Sequence, residues 1–189
     1  FMYVLTFREK RAENRRNYAP IDAATAPAVS IIVPGYNEEV NIVRTITTLK
    51  QQDYPNLHIY FVDDGSKDHT LERVREAFDT DDKVTVLAKK NGGKASALNY
   101  GIAACRSEYV VCIDADTQLK QDAVSRLMKH FIADKDKRIG AVAGNVKVGN
   151  QRNMLTYWQA IEYTSSQNFD RMAYSNINAI TVVPGAIGA

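Results

Sequence analysis

Four short apolar runs, each rich in β-branched residues and each stopped by a polar or glycine-bearing turn, alternate with four stretches of helical spacing. The runs occupy 29–33, 57–62, 84–87 and 109–113. Their length and their bounding turns read as buried strands. Between them, 38–50 places Val40, Ile42, Val43, Ile46 and Leu49 at helical spacing. The stretches 67–78 (with Ser66 or Asp64 as N-cap), 94–104 and 121–133 read as helices in the same way. Parallel strands need such crossovers, and right-handed crossovers bury the sheet on both faces. The expected fold is therefore α/β, a mainly parallel sheet with helices on both faces. Beyond it, 139–148 reads as extended with a kink at Gly144. The stretch 153–174 reads as a long aromatic helix, and 179–183 as a last extended run.

In a parallel sheet the turns that follow the strands gather on one edge, where ligands of open α/β sheets bind. That edge would carry Pro34-Gly35-Tyr36-Asn37-Glu38, Asp63-Asp64-Gly65-Ser66, Lys89-Lys90-Asn91-Gly92-Gly93-Lys94 and Asp114-Ala115-Asp116. Residues i and i+2 of an extended chain share a side, so Asp114 and Asp116 are expected to point together. Adjacent carboxylates call for a cation, and a divalent ion with oxygen ligands is the simplest. Tyr36 suits a base or ribose, a carboxylate accepts from a base N–H or ribose hydroxyl, and Lys94 at a helix N-terminus suits phosphate. The rim thus matches a nucleoside diphosphate. Neither Gly-x-Gly-x-x-Gly after the first strand nor Gly-x-x-x-x-Gly-Lys-Ser/Thr occurs, which argues against a dinucleotide oxidoreductase and a P-loop enzyme.

Val33-Pro34-Gly35-Tyr36-Asn37-Glu38, Val62-Asp63-Asp64-Gly65-Ser66-Lys67-Asp68, Asn91-Gly92-Gly93-Lys94-Ala95-Ser96-Ala97-Leu98-Asn99 and Asp114-Ala115-Asp116 occur in the order and spacing of family 2 glycosyltransferases. Residues 29–189 resemble these inverting enzymes of the GT-A fold, and most of all the processive membrane synthases of cellulose, hyaluronan, chitin and poly-N-acetylglucosamine. Gly144-Asn145-Val146-Lys147-Val148, Gln159-Ala160-Ile161-Glu162-Tyr163 and 183–189 are most similar to the bacterial poly-β-1,6-N-acetylglucosamine synthase branch. The resemblance implies a UDP-sugar donor, a polysaccharide acceptor, and Mn²⁺ or Mg²⁺; N-acetylglucosamine is the sugar expected, with glucose and glucuronate left open. By position it implies that Pro34, Tyr36 and Glu38 line a uridine pocket and that Asp63 contacts uracil while Asp64 holds its turn. It places Lys94 near uracil and diphosphate, Asp114 on nucleotide or sugar, Asp116 on the metal, and Gly185 and Ala186 along an acceptor channel. The family's general base and its Gln-x-x-Arg-Trp motif are not found in the sequence and are expected beyond Ala189, so the chain is expected to be the donor half of a longer enzyme.

Several of these residues have plainer readings. Glu38 suits the first turn of a helix, Lys89 and Lys90 suit a solvated turn, Asn99 suits capping or packing, and the aromatics of 153–174 suit core or interface better than a sugar platform. Glu162 is undecided. A non-processive transferase acting on a lipid or protein, a nucleotide-sugar-binding domain without catalysis, and a Mg²⁺-dependent phosphatase are the competing classes.

A chain of 189 residues with 45% hydrophobic content affords a core, and a net charge of +2 does not argue for nucleic acid. Cys105 and Cys112 read as buried thiols, and His58, His69 and His130 lack zinc-ligand spacing. No run reaches the roughly 18 apolar residues of a membrane span. The apolar and aromatic start, 1–7, followed by Arg8, Lys10, Arg11, Arg15 and Arg16, resembles the cytoplasmic exit of a membrane helix. An amphipathic helix docking on the domain is the alternative. Residues 1–28 are accordingly expected to be a basic juxtamembrane segment and linker, 29–189 the nucleotide-sugar domain, and the parent a protein of the cytoplasmic face of the bacterial membrane.

Overall fold

The computed structural model describes residues 2–15, 18, 20–146, 154–162, 171–175, 177 and 187–189. Helix α1 (Met2–Arg15) precedes the alternating unit β1 (Val29–Gly35), α2 (Ile42–Lys50), β2 (Leu57–Asp63), α3 (Thr70–Phe78), β3 (Val84–Ala88), α4 (Lys94–Ala104), β4 (Tyr109–Ile113) and α5 (Ala123–Ala133). Helices α6 (Met154–Glu162) and α7 (Arg171–Ser175) and the short strand β5 (Ile187–Gly188) follow. The five strands lie in the order β3-β2-β1-β4-β5. The first four are parallel, with Val29 opposite both Leu57 and Tyr109, and β5 runs antiparallel to β4.

The strand order fixes where the helices go. The chain steps outward from β1 to β2 to β3, then returns to the other side of β1 for β4. Right-handed crossovers in opposite directions put their helices on opposite faces. Ile42, Ile46 and Leu49 of α2 and Val74 and Phe78 of α3 accordingly share the larger core with Ile31, Val33, Ile59 and Phe61, and Val124, Leu127 and Met128 of α5, which follows the last parallel strand, join the same core. Ala97 of α4 packs on the other face against Ile32 and Val62. There the helix comes so close that a Cβ on Gly101 would stand 2.6 Å from Ile32 Cγ2.

Of the boundaries that differ from the sequence reading, three have a clear tertiary reason. Strand β1 runs through Pro34-Gly35 instead of stopping before them. Odd-numbered residues of β1 bond toward β2, as Val29 N donates to the Asn56 carbonyl and Asp64 N to that of Gly35. Pro34 faces the other side, where pairing with β4 ends at Ile32 and Cys112, so its missing N–H costs no ladder bond. Helix α2 begins at Ile42 rather than at 38, and Val40 is 80% exposed rather than part of the apolar face. The backbone N–H of Glu38 is taken by Thr70 Oγ1 (2.8 Å) and that of Glu39 by Asp68 Oδ2 (3.3 Å), which holds 38–41 as a turn against the next loop. Helix α3 begins at Thr70, not 67, because Asp68 Oδ1 accepts from Thr70 N (3.1 Å) while Ser66 and Asp64 bond elsewhere.

Within 139–148, Val142 and Ala189 exchange backbone hydrogen bonds and Ala143 bridges Gly188. The aromatic stretch 153–174 shows helix at α6 and α7, and 163–170, 179–183, Gly185 and Ala186 lie outside the described residues. Leu5 and Thr6 of α1 are buried and α1 packs on α7, whereas Val4 and Phe7 are exposed. Just beyond α1, Tyr18 Oη donates to Glu13 Oε2 at 3.0 Å and lies 3.0 Å from His130 Nδ1 on α5. Among the described residues, no helix is long and apolar enough to cross a membrane.

Candidate functional site

A parallel sheet whose strand order reverses leaves a crevice between the carboxyl ends of the strands on either side of the reversal. Here the reversal falls between β1 and β4, and a cavity of about 360 Å³ opens there. Its wall is made by the ends of all four parallel strands: Pro34, Tyr36 and Glu38 after β1, Asp64 after β2, Asn91, Gly93 and Lys94 after β3, and Asp114 and Asp116 after β4.

The loops forming this wall are laced to one another. Asn37, at φ 56, accepts Lys67 N on its Oδ1 (2.8 Å) and donates its own N–H to Ser66 Oγ (3.0 Å). Asn is among the few residues that adopt this left-handed backbone readily. Glu39 Oε2 accepts His69 N (3.0 Å) and Arg73 donates to the Glu39 carbonyl (3.2 Å). The third loop is tied to the second through Asp64. Its carboxylate accepts Gly93 N (2.7 Å), Gly92 N (3.0 Å) and Lys89 Nζ (2.6 Å), and Asn91 Nδ2 donates to its carbonyl (2.9 Å). Gly65, at φ 72, allows this approach, since a Cβ there would stand 2.8 Å from Asn91 N.

Asp114 and Asp116 both face the cavity, but not by strand alternation. Strand β4 ends at Ile113, and a turn closed by Thr117 N to the Asp114 carbonyl (3.0 Å) brings Asp116 round. Thr45 Oγ1 of α2 holds the turn by donating to the Ala115 carbonyl at 2.7 Å. Lys94 Nζ pairs with Asp114 Oδ1 across the cavity. Gly93 at the N-cap of α4 adopts φ 85 and provides no side-chain cap, so the first-turn amides of α4 remain available to an anion.

The electrostatics divide the acids. Burial raises the Glu38 carboxyl above its ordinary value, and the negative charge of Asp116 raises it further. Burial acts on Asp64 in the same sense, but the hydrogen bonds from Lys89, Gly92 and Gly93 outweigh it and hold this carboxyl below the ordinary range. Asp68 is likewise held low, its desolvation outweighed by bonds from Thr70 and Glu39. The cavity thus gathers Glu38 and Asp116, neither with an ion-pair partner among the described residues, next to a lysine already paired with Asp114. Among the described residues no three His, Cys, Asp or Glu side chains are grouped to hold a metal ion by themselves. A hard cation held by one or two carboxylates and completed by substrate phosphates and water fits this donor set.

Of the residues singled out from sequence, Pro34, Tyr36, Glu38, Lys94, Asp114 and Asp116 come together on one wall. Asp63 lies just beneath it, opposite Gly35 in the β1–β2 register and only 3% exposed. Its Oδ2 accepts Gly65 N and Ser66 N, each at 3.1 Å. Its Oδ1 is buried with no hydrogen-bond partner among the described residues. Lys89 is a correction: it is not a solvated turn residue, because its ammonium is paired with the buried carboxylate of Asp64 and its side chain is only partly exposed. Asn91, which bridges the loops, was legible only as part of a turn.

This combination of a reversed parallel sheet, an acidic turn after β4 and a glycine-linked lysine opening α4 defines a GT-A-type α/β unit. The chain matches the model of glycosyl transferase family 2 over residues 30–188, and it belongs to that family. It is 32% identical over 95% of its length to a poly-beta-1,6-N-acetyl-D-glucosamine synthase of Staphylococcus epidermidis, covering 43% of that protein. It is also 32% identical over 83% of its length to the synthase of the same name from Staphylococcus aureus strain COL, covering 38% of it. The chain therefore spans less than half the length of these curated relatives. Among solved structures, it is similar to a mannosyltransferase from Pyrobaculum calidifontis in complex with GDP-Man and Mn²⁺, with a TM-score of 0.69, 27% identity, and coverage of 99% of this chain and 51% of the other.

Proposed function

We propose that this chain is the donor-binding part of an inverting glycosyltransferase that moves N-acetylglucosamine from its UDP donor to a growing polysaccharide, with Mn²⁺ or Mg²⁺. The observation that carries the reading is the single cavity in which Lys94, the open N-terminus of α4, Asp114 and Asp116 face one another, in a chain 32% identical to the synthases. In this reading Tyr36, 42% exposed at the rim, lies along the base or ribose. Asp63 Oδ1, without a hydrogen-bond partner among the described residues, accepts an N–H of the base, which satisfies an oxygen otherwise costly to leave buried. Lys94 and the α4 amides hold the diphosphate, Asp114 keeps Lys94 oriented and reaches the sugar, and Asp116 is the cation ligand.

Bound at Asp116, the cation supplies neutralisation of the charge that develops on the leaving diphosphate. The acceptor hydroxyl attacks the anomeric carbon, the bond from that carbon to the diphosphate oxygen breaks, and configuration inverts. The hydroxyl proton passes to a general base, for which no residue of this chain is proposed. Gly185 and Ala186 remain candidates for the acceptor channel. We propose further that the parent enzyme works at the cytoplasmic face of the bacterial membrane; the exposed Phe7, Arg8, Lys10 and Arg11 of α1 suit a lipid surface.

A second reading is favoured by the similarity to the GDP-Man complex, which extends over 99% of the chain: a transferase that uses a guanine nucleotide and adds a single sugar. Calorimetric titration of UDP and GDP into the chain with Mn²⁺ separates the two. The first reading expects UDP to bind at least about tenfold more tightly, the equivalent of one good hydrogen bond to the base. Tighter binding of GDP favours the second, and binding of neither removes both.

A further inference from the structure

The loop that presents Lys94 to the cavity rests on an ion pair between residues that sequence spacing does not connect. Lys89 Nζ lies 2.6 Å from Asp64 Oδ1, with side chains only 15% and 5% exposed. Lys89 also donates to the Lys90 carbonyl (2.7 Å), and its own backbone N–H is bonded to the Asp63 carbonyl (3.0 Å). The two carboxylate oxygens of Asp64 take the ammonium, Gly92 N and Gly93 N. Asp64 therefore borders the cavity with its acceptors already engaged, and as a buried anion it cannot ligate a diphosphate. What it does is fix the two amides immediately before Lys94. Lys89 keeps that carboxylate ionised in a buried place, since an unpaired buried charge is strongly disfavoured.

We propose that Lys89 and Asp64 are positioning residues for the diphosphate: together they set the backbone at Gly92 and Gly93, and so the place of Lys94 and of the first turn of α4, before the donor arrives. The inference rests on the reading of this cavity as a UDP-sugar site and adds to it that part of the phosphate recognition is built by residues that never touch phosphate. It implies that loss of either residue damages recognition of the diphosphate while leaving recognition of the nucleoside, which depends on Tyr36 and Asp63, nearly intact.

The test is a double-mutant cycle read with two ligands. UDP and uridine are titrated with Mn²⁺ into the wild-type chain, Lys89→Met, Asp64→Asn, the double variant and Lys89→Arg, with thermal midpoints recorded alongside. Lys89→Met and Asp64→Asn are each expected to weaken UDP about tenfold, as expected for a lost hydrogen bond to a charged group, and uridine less than about twofold. The double variant should be no weaker than the poorer single one, because the pair acts as a unit, and Lys89→Arg should restore most of the affinity. Equal loss for UDP and uridine would assign the pair a merely structural role and overturn the proposal. So would wild-type affinity in Lys89→Met, or gained affinity in Asp64→Asn, the sign of a lysine that contacts phosphate itself. Amide exchange on the unliganded wild-type chain needs no variant: Gly92 and Gly93 should be protected, and unprotected amides would contradict a preformed loop. Failure of the wild-type chain to bind UDP, with those amides protected, would count against the reading of the site and not against the positioning pair.

Discussion

Replacing Gly101 by alanine sets two effects of opposite sign against each other. In an exposed helix interior, Gly→Ala stabilises by about 1 kcal/mol through backbone entropy. Here the new Cβ would stand 2.6 Å from Ile32 Cγ2 and 3.0 Å from Val62 Cγ2. Carbon atoms are most favourably placed at about 3.5–4.0 Å, so the closer contact must open by about 1 Å. Neither neighbour yields easily, since both are fully buried β-branched strand residues with restricted χ1. Overpacking of this kind costs about 1–3 kcal/mol and should prevail, for a net loss of about 1 kcal/mol. In a chain of this size that corresponds to a fall in thermal midpoint of about 2–4 °C. Urea unfolding followed by far-UV circular dichroism checks it, with a lower midpoint at unchanged slope. Gly101→Val, which adds branching at the same contact, should lose more. A Gly101→Ala chain as stable as wild type, or more so, would show that α4 is not seated on β1 and β2 as described.

Asp64→Ala strands the Lys89 ammonium in a largely buried place and frees two glycine amides. Removing one member of a buried pair costs about 3–5 kcal/mol, so the thermal midpoint should fall by roughly 6 °C or more, and a change under 2 °C would contradict the pair's burial. The depressed carboxyls of Asp64 and Asp68 also have a pH signature. A group whose folded value lies below its unfolded value, about 3.9 for Asp, contributes stability that is present above the unfolded value and lost as pH falls through the folded one. The midpoint should therefore hold steady down to about pH 4 and fall below it, less steeply in Asp64→Ala. A midpoint that rises on acidification would contradict the hydrogen bonding drawn for these two residues.

The order and kind of the central elements were legible because period and turn chemistry agree there. Strand β4 and helix α4 have the limits expected from sequence, Tyr109–Ile113 and Lys94–Ala104, since a β-branched run and a Gly-Gly turn leave little choice. The N-termini of α2 and α3 were not legible. Glu38, Glu39, Asp68 and Thr70 spend their polar groups on one another across the β1 and β2 loops instead of prolonging the helices, and such pairings are non-local. The convergence of Asp114 and Asp116 was expected for the wrong reason: the turn beyond β4, held by Thr45, does what alternation along a strand was expected to do. Lys89 was misread for a related reason. Two adjacent lysines beside an Asn-Gly turn look solvated unless the carboxylate of a distant strand end is known to lie beneath one of them. The antiparallel β5 is two residues long, too short for a periodic signal.

The most direct measurement is the affinity of UDP for the chain with and without Mn²⁺, in the wild type and in Asp116→Ala. The ion should tighten UDP binding by about tenfold or more in the wild type, the equivalent of about 1.4 kcal/mol of added attraction for the diphosphate. Asp116→Ala should abolish that gain while leaving the metal-free affinity within about twofold. UDP binding indifferent to Mn²⁺, or an undiminished Mn²⁺ effect in Asp116→Ala, would contradict the assignment of this cavity as a metal-assisted nucleotide-sugar site.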